Sequence, residues 1–367
     1  MAAKFIYRIK KVQRLMTERK IDILVVVKRE NIIYLTGLTQ IENMAVLIPI
    51  EGEPCIIANW LDADYIEEES GLKTFSYFKP RENLGDKIAK RINAYGFRNV
   101  IIGLEKYFIS NTVFETIKKA LPEAKFIDAS DLFYKVRAIK EPSEVEKIKQ
   151  AAVMVCKGME TALNLIRPGV SMLELSKEVE YALLKMNSNR IPFRIQIVSG
   201  ERGLLNYAAS SCKYIKDGNI VLVFLEAIYE GYYAKICRTI AVGKIPLEQE
   251  LLFENLLEAQ EKAIAALRPG AKAWEVDFTA RRIFKKLGLE NQFMDIIGYG
   301  VGLRPIEYFP IIGRKYHDLI EAGMVIELFS PKIYVKDRGG PRITDLIYVG
   351  EHENEILTAF PRKLFRV

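Results

Sequence analysis

A fifteen-residue internal repeat constrains the fold of this chain more than any other feature of its sequence. Glu160–Glu174 and Glu261–Glu275 align at an offset of 101 residues and share six identities, among them an Arg-Pro-Gly triplet. Each copy reads as the end of one helix, a stop, and the start of a second helix (Leu173–Met186 or Trp274–Leu287). Sequence rich in β-forming residues follows each helix pair. The repeat therefore predicts a pseudo-twofold α+β domain with a cleft between its halves on the sheet side.

A hairpin is predicted inside this domain. Ile220–Ile228 is an apolar β-rich run, and Tyr233–Val242 is a β-rich run with interspersed polar residues. The two runs are joined at Tyr229–Tyr232, where Glu-Gly forms the centre of a turn. Alternate residues of such a hairpin point into one cleft. Three side chains of different character are expected there: Phe224, Glu226 and Lys235.

The first third of the chain alternates short strands and helices, which predicts a separate α/β domain. A basic amphipathic helix is expected over residues 5–20, followed by a buried strand at Ile23–Val27. Asn31–Gly37 reads as a turn and an apolar segment ended by a glycine. The domain boundary is placed after residue 136, giving an N-terminal domain of residues 1–136 and a C-terminal domain of residues 137–367. A capping box of Ser143 and Glu146 is expected to begin the next long helix.

Composition narrows the class of protein. Half of the residues are hydrophobic and no apolar run approaches the roughly 18 residues that span a bilayer, so no membrane association is expected. The basic N-terminus is not followed by an apolar stretch, so no secretory signal is expected. Four cysteines without a CxxC pair suit a reduced cytoplasm. Two histidines outside any motif argue against a histidine-based metal centre, and the richness in Lys, Glu, Ile and Tyr fits a thermophile.

The net charge of +7 arises from 54 basic and 47 acidic residues. Two basic clusters could bind nucleic acid or another acidic partner. The alternative, solvated helix faces, is favoured because no nucleic-acid-binding motif accompanies them. The residues of these clusters are Arg8, Lys10, Lys11 and Arg14, and Arg281, Arg282, Lys285 and Lys286.

Ordered landmarks along nearly the whole chain resemble the family of Xaa-Pro dipeptidases, Xaa-Pro aminopeptidases and creatinase. They include Asn31–Gly37, Arg137–Lys140, Ile197–Gly200, Arg268–Gly270 and Gly339–Arg342. The resemblance implies a creatinase-like α/β N-terminal domain and a C-terminal domain of the pita-bread fold. It also implies a homodimer.

The resemblance further implies a site where active relatives hold two divalent metals with two Asp, one His and two Glu. Carried over one by one, these positions fall on Phe224, Lys235, Tyr299, Glu327 and Thr344, so one ligand of five is kept. Auxiliary positions fall on Tyr207, on Asp295 and next to Glu307. Because a Lys ammonium repels a dication at close range, no metal and no other cofactor are expected.

Two interpretations of the remaining charges stay open. Glu327 and Lys235 either neutralise one another, with Glu226 as a second partner, or act as acid and base together with Glu307. Arg238 and Arg342 are expected to pair with Asp345 or with strand ends. The aromatic side chains either line a peptide pocket or fill the volume of lost metals and water.

The first hypothesis for function is a catalytically inactive homologue that serves as a scaffold for a peptide, protein or ribonucleoprotein partner. The second is a metal-free hydrolase of a small C–N compound that works through Glu327, Glu307 and Lys235. The third is a metal-dependent Xaa-Pro dipeptidase with altered ligands.

Overall fold

The structure is a computed structural model that describes residues 5–39, 42–78, 80–97, 99–186, 188, 195–204, 209–329 and 340–367. The chain separates into two compact units, Met1–Arg137 and Ala138–Val367, one residue beyond the boundary expected from sequence. Among the described residues, none of the helices combines the length and the apolar character needed to cross a bilayer.

The N-terminal unit contains a six-stranded mixed sheet in the order β4-β3-β2-β1-β5-β6. Its strands are β1 (Ile23–Val26), β2 (Ala45–Pro49), β3 (Cys55–Asn59), β4 (Thr74–Tyr77), β5 (Ile101–Leu104) and β6 (Lys125–Asp128). Its helices are α1 (Ile6–Glu18), α2 (Arg29–Thr36), α3 (Ala63–Ser70), α4 (Leu84–Ala94), α5 (Asn111–Ala120) and α6 (Leu132–Ala138), the last of which ends at the boundary. The central strand β1 is buried at every position, as its unbroken apolar run predicts.

Helix α2 corrects the expectation of a turn at its start. Asn31 lies inside the helix, where its side chain is buried and accepts a hydrogen bond from Arg137 Nη1 at 2.5 Å. The glycine stop is confirmed: Gly37 has a φ of +77°, and its N–H donates to the carbonyl of Ile33. Glycine adopts this left-handed conformation without the steric cost of a Cβ.

The C-terminal unit contains a nine-stranded sheet built around the order β11-β10-β12-β13-β9-β8-β7. Its strands are β7 (Ile195–Ser199), β8 (Ile220–Tyr229), β9 (Tyr232–Ala241), β10 (Ile296–Gly300), β11 (Glu307–Gly313), β12 (Val325–Phe329), β13 (Thr344–Tyr348), β14 (Glu355–Ile356) and β15 (Phe365–Arg366). Its helices are α7 (Pro142–Leu165), α8 (Met172–Leu184), α9 (Leu247–Ala266) and α10 (Ala273–Lys286). A buried apolar core joins α9 and α10 to the sheet through residues such as Leu256, Phe284 and Ile326.

The two helix pairs confirm the predicted internal repeat. Gly169 and Gly270 end the first helix of each pair with φ values of +85° and +84°. Their N–H groups donate to the carbonyls of Ile215 and Ile320, both at 2.9 Å. The same backbone conformation and the same tether therefore recur in both halves, and together with the sheet they establish the pseudo-twofold α+β architecture.

Helix α7 begins slightly earlier than predicted. Pro142 takes the first turn, and Glu141 is the capping residue, since its N–H donates to Glu144 Oε2 at 3.0 Å. The expected box of Ser143 and Glu146 is therefore wrong. Proline suits the first helical turn because it has no N–H to leave unsatisfied there.

Candidate functional site

The hairpin β8–β9 is the frame of the site. Its strands pair over ten residues each and are joined at Glu230 and Gly231, whose φ values are +45° and +86°. A turn with both central residues at positive φ matches the twist of the flanking strands. The sequence predicted the ends of both strands to within one residue.

The register of the sheet shows which side chains share a face. Residues that pair across neighbouring strands point to the same side, and so do alternate residues along one strand. The pairs are Phe224 with Cys237, Glu226 with Lys235, Thr344 with Cys237, and Tyr299 with Glu327. The predicted common face for Phe224, Glu226 and Lys235 is therefore confirmed, and the same face carries Tyr299, Glu327 and Thr344. We call this set the relict face.

An ion pair lies at the centre of the relict face. Lys235 Nζ on β9 donates to Glu327 Oε2 on β12, and β13 lies between these strands. The two side chains are only 3% and 5% exposed. Glu226 stands directly across the hairpin from Lys235 and is also buried. The direct contact of Lys235 and Glu327 agrees with the first of the two interpretations that the sequence left open.

The side chains of this face do not suit a divalent metal. The described residues include no cluster of three or more His, Cys, Asp or Glu that could hold one. The Glu327 carboxylate is engaged by a buried ammonium, which would repel a dication at close range. Phe224 offers no donor atom, and a dinuclear centre needs several oxygen or nitrogen donors with bridging carboxylates.

Asp345 does not repair this donor set, because it lies on the opposite face of the sheet. It pairs in register with Leu328, one residue beyond Glu327, and strand residues alternate between faces. Its carboxylate accepts from Arg238 Nη2 at 2.7 Å, Thr358 Oγ1 at 2.8 Å and Gln260 Nε2 at 3.1 Å. Burial raises the pKa of Asp345, while the charge and hydrogen bonds of Arg238 and Thr358 act in the other direction.

Arg238 lies on the same face of the sheet as Asp345 and has a structural role. Besides Asp345, it donates to four backbone carbonyls, those of Cys237, Thr344, Phe360 and Pro361. All five guanidinium N–H groups are thus used, and the side chain is fully buried. The expectation that Arg238 pairs with Asp345 is confirmed, and the residue ties the C-terminal segment to the sheet.

Other predicted site residues lie elsewhere. Asp295 precedes β10, is 62% exposed and pairs with Arg314, and its assignment to the cleft stays a prediction. Arg342 donates to the carbonyl of Gly203 at 2.7 Å. Glu307 is buried on β11. Its carboxylate lies close to the backbone of Gly302, where an added Cβ would stand 2.8 Å from Oε1. Tyr207 lies outside the described residues.

Sequence reasoning missed two buried polar side chains on the relict face. Phe224 on β8 lies opposite Gln196 of β7 on one side and opposite Cys237 of β9 on the other. Cys237 could have been found by continuing the alternation from Lys235. Gln196 required the register between β7 and β8, which no local pattern in the sequence specifies.

Two members of the predicted basic surface are buried instead. Arg8 lies over the rings of Phe5 and Tyr34 and donates to the carbonyl of Tyr34. Arg281 forms a bidentate pair with Asp277, four residues earlier on α10. Counting charges cannot reveal such partners, which depend on helix phase. The remaining members are exposed: Lys10, Lys11, Arg14, Arg282, Lys285 and Lys286.

The fold defines the class of protein. A separate α/β unit precedes a sheet that is flanked by two repeated helix pairs, the arrangement expected of a creatinase-like domain followed by a pita-bread domain. Residues 146–351 match Metallopeptidase family M24, and residues 8–139 match the Creatinase/Prolidase N-terminal domain. The chain belongs to metallopeptidase family M24.

Named relatives share its full length. The chain is 31% identical over 358 residues to the Xaa-Pro dipeptidase of Pyrococcus furiosus, an alignment that covers 97% of this chain and 99% of that protein. The solved Xaa-Pro dipeptidase from Bacillus anthracis has a TM-score of 0.92 at 28% identity, covering 99% of this chain and 100% of that chain. The prolidase from Pyrococcus horikoshii has a TM-score of 0.89 at 30% identity, covering 98% and 99%.

Proposed function

We propose that this protein is a catalytically inactive member of its family, in which the pita-bread domain serves as a binding scaffold. The buried ion pair of Lys235 and Glu327 carries this proposal. In the metal-dependent proteins that the chain resembles, metal-binding carboxylates are expected at these two positions. Here an ammonium occupies one position and pairs with the carboxylate at the other, so Glu327 has a counter-charge without a metal.

Burial also argues against an acid–base role for this pair. A general acid or base must reach the proton of its substrate, directly or through one water. Lys235 and Glu327 are almost fully excluded from solvent and are hydrogen-bonded to each other. The partner of the scaffold is a peptide, a protein or a ribonucleoprotein, and the protein itself is proposed to be a homodimer.

Assays of purified protein test the proposal. Xaa-Pro dipeptides and small amidino compounds are each offered with and without Co²⁺ or Mn²⁺, and no turnover is expected. Metal-free turnover that Glu327→Gln abolishes would instead establish a hydrolase working through Glu327, Glu307 and Lys235. Turnover that requires added metal would establish a dipeptidase with altered ligands.

The scaffold role has its own test. Affinity purification from native lysate, with nuclease-treated and high-salt controls, is expected to recover a defined partner. Recovery that salt and nuclease both abolish indicates a nucleic-acid-dependent partner. The absence of any stoichiometric partner, together with turnover in the assays above, would contradict a scaffold.

A further inference from the structure

We propose that the outer side of α10 is a binding surface for single-stranded nucleic acid. The surface is formed by Trp274, Phe278, Arg282, Lys285 and Lys286, and we call it the α10 surface. It is separate from the relict face, so its test can fail without affecting the proposal for the cleft.

Helix α10 divides its residues cleanly between core and solvent. Val276, Ala280 and Phe284 are buried against the sheet and α9. On the other side, Phe278 is 52% exposed. A single exposed aromatic needs no explanation by itself, so what matters is which residues stand beside Phe278.

The aromatic residues and a cation of this surface are already arranged together. The rings of Trp274 and Phe278, one helical turn apart, form a T-shaped contact with centroids 6.4 Å apart. The guanidinium of Arg282, a further turn along, lies 5.9 Å from the centroid of Phe278. Planar rings and a guanidinium along one line offer flat surfaces on which bases can stack.

The positive charge of this surface is not neutralised. In the described part of the chain, Arg282, Lys285 and Lys286 take part in no ion pair, whereas their neighbour Arg281 is paired with Asp277. At the other end of the helix, the backbone N–H of Trp274 donates to the carbonyl of Tyr316, which follows the exposed Lys315 in the chain. The three cations of this surface thus follow Phe278 along the helix.

This combination favours a single strand of nucleic acid over an acidic peptide. From Trp274 to Lys286 the helix is about 18 Å long, enough for several nucleotides of an extended strand. Phosphates would meet the cations while bases stack on Phe278 and Trp274. Asp and Glu side chains offer no flat face for an exposed Phe ring.

The two tryptophans of the chain allow a direct test. The Trp60→Phe variant leaves Trp274 as the only tryptophan, and its emission is followed during titration with a twelve-nucleotide oligouridine in low salt. Saturable quenching is expected, with an affinity that falls as salt is added. In the same background, Lys285→Glu/Lys286→Glu is expected to weaken binding at least ten-fold, and Phe278→Ala at least five-fold.

Helix α5 provides a matched control. Lys118 and Lys119 are exposed in its last turn, as Lys285 and Lys286 are in the last turn of α10. Lys118→Glu/Lys119→Glu makes the same charge change and is expected to alter affinity less than two-fold. Circular dichroism and thermal melting confirm that each variant is folded.

Three results would overturn the proposal. The first is no quenching of Trp274 by the oligonucleotide. The second is an equal loss from both lysine pairs, which would indicate a response to net charge alone. The third is polyglutamate binding as tightly as oligouridine with no effect of Phe278→Ala, which would assign the surface to an acidic protein segment.

Discussion

At the scale of single residues, Lys235 and Glu327 illustrate how a buried charge is tolerated only with its partner. The idealised cost of moving either ion into a low-dielectric interior is large, and their attraction offsets it only because the contact is direct. The same logic holds for Arg238 and Asp345 on the other side of the sheet, which are fully buried. Two buried ion pairs thus stand on opposite faces of neighbouring strands.

Removal of one partner from the relict face is expected to be far more harmful than removal of both. Lys235→Met should lower the free energy of unfolding of the C-terminal unit by about 3–5 kcal/mol, because Glu327 is left buried without its counter-charge. Lys235→Met/Glu327→Leu should recover most of that loss. Urea unfolding followed by Trp274 emission measures each value.

The exposed pair of Arg314 and Asp295 is the control for this cycle. Both side chains are at least half exposed, so Arg314→Met should cost less than about 1 kcal/mol. Losses that simply add in the double variant, or a Lys235→Met cost no larger than that of Arg314→Met, would mean that the buried pair is not coupled.

Residue-level prediction from the sequence succeeded where alternation along a strand was sufficient. Phe224, Glu226 and Lys235 were placed on one face because a period of two fixes their direction. It failed for Arg8 and Arg281, which were assigned to a surface. Arg8 lies over the rings of Phe5 and Tyr34, and Arg281 pairs with Asp277. The spacing of four residues between Asp277 and Arg281 is visible in the sequence, but the burial of this pair depends on how the helix is rotated against its unit.

At the scale of elements, a buried polar network connects three parts of the N-terminal unit. Glu105 Oε2, just after β5, accepts the N–H groups of Val27 and Lys28 beyond β1 at 2.7 Å and 2.6 Å. Its other oxygen accepts from the amide of Asn31 in α2, and Arg137 donates to that same Asn31 side chain. Two sequence landmarks 106 residues apart thereby meet in space.

This network predicts a pH dependence with a definite sign. Burial raises the pKa of Glu105, although hydrogen bonds from Lys28, Asn31 and Val27 act against the rise. A carboxyl with a raised pKa binds its proton more tightly in the folded state, so its contribution to stability is greatest below the unfolded value of about 4.3. That contribution is lost as the pH rises through the folded pKa.

The Glu105→Gln variant cannot ionise and serves as the reference. The free energy of unfolding of the wild type minus that of Glu105→Gln is expected to fall as the pH rises from about 4.5 to 8. Urea unfolding in a Trp274→Phe background, where Trp60 reports on the N-terminal unit, measures this difference. A difference that is constant, or that grows with pH, would contradict a raised pKa.

The element boundaries show which local signals are strong. Glu-Gly between two β-rich runs located the hairpin turn within a residue, and Arg-Pro-Gly located both helix stops. The start of α7 was displaced because Ser143–Glu146 and Glu141–Glu144 both have capping spacing, and Pro142 decides between them. The short helix α2 was missed because its six buried residues follow one another without a break and carry no clear helical period.

At the scale of the whole molecule, the C-terminal unit keeps the frame of its family, and we propose that its site is altered. The repeated helix pairs, the hairpin and the pinned C-terminal segment all match what family membership requires of the fold. The fold was predictable from the sequence because the repeat and the ordered landmarks extend along nearly the whole chain. The details of the site were less predictable from the sequence, because Gln196 takes its position from the register between β7 and β8.

The central claim is that Lys235, and not a metal ion, supplies the counter-charge of Glu327 on the relict face. Calorimetric titration of the EDTA-dialysed protein with Mn²⁺ near neutral pH tests it most directly. The account predicts no saturable binding up to millimolar Mn²⁺, since an ammonium occupies the position that a dication would need. Saturable binding of one or two equivalents of Mn²⁺ that Glu327→Gln abolishes would contradict it.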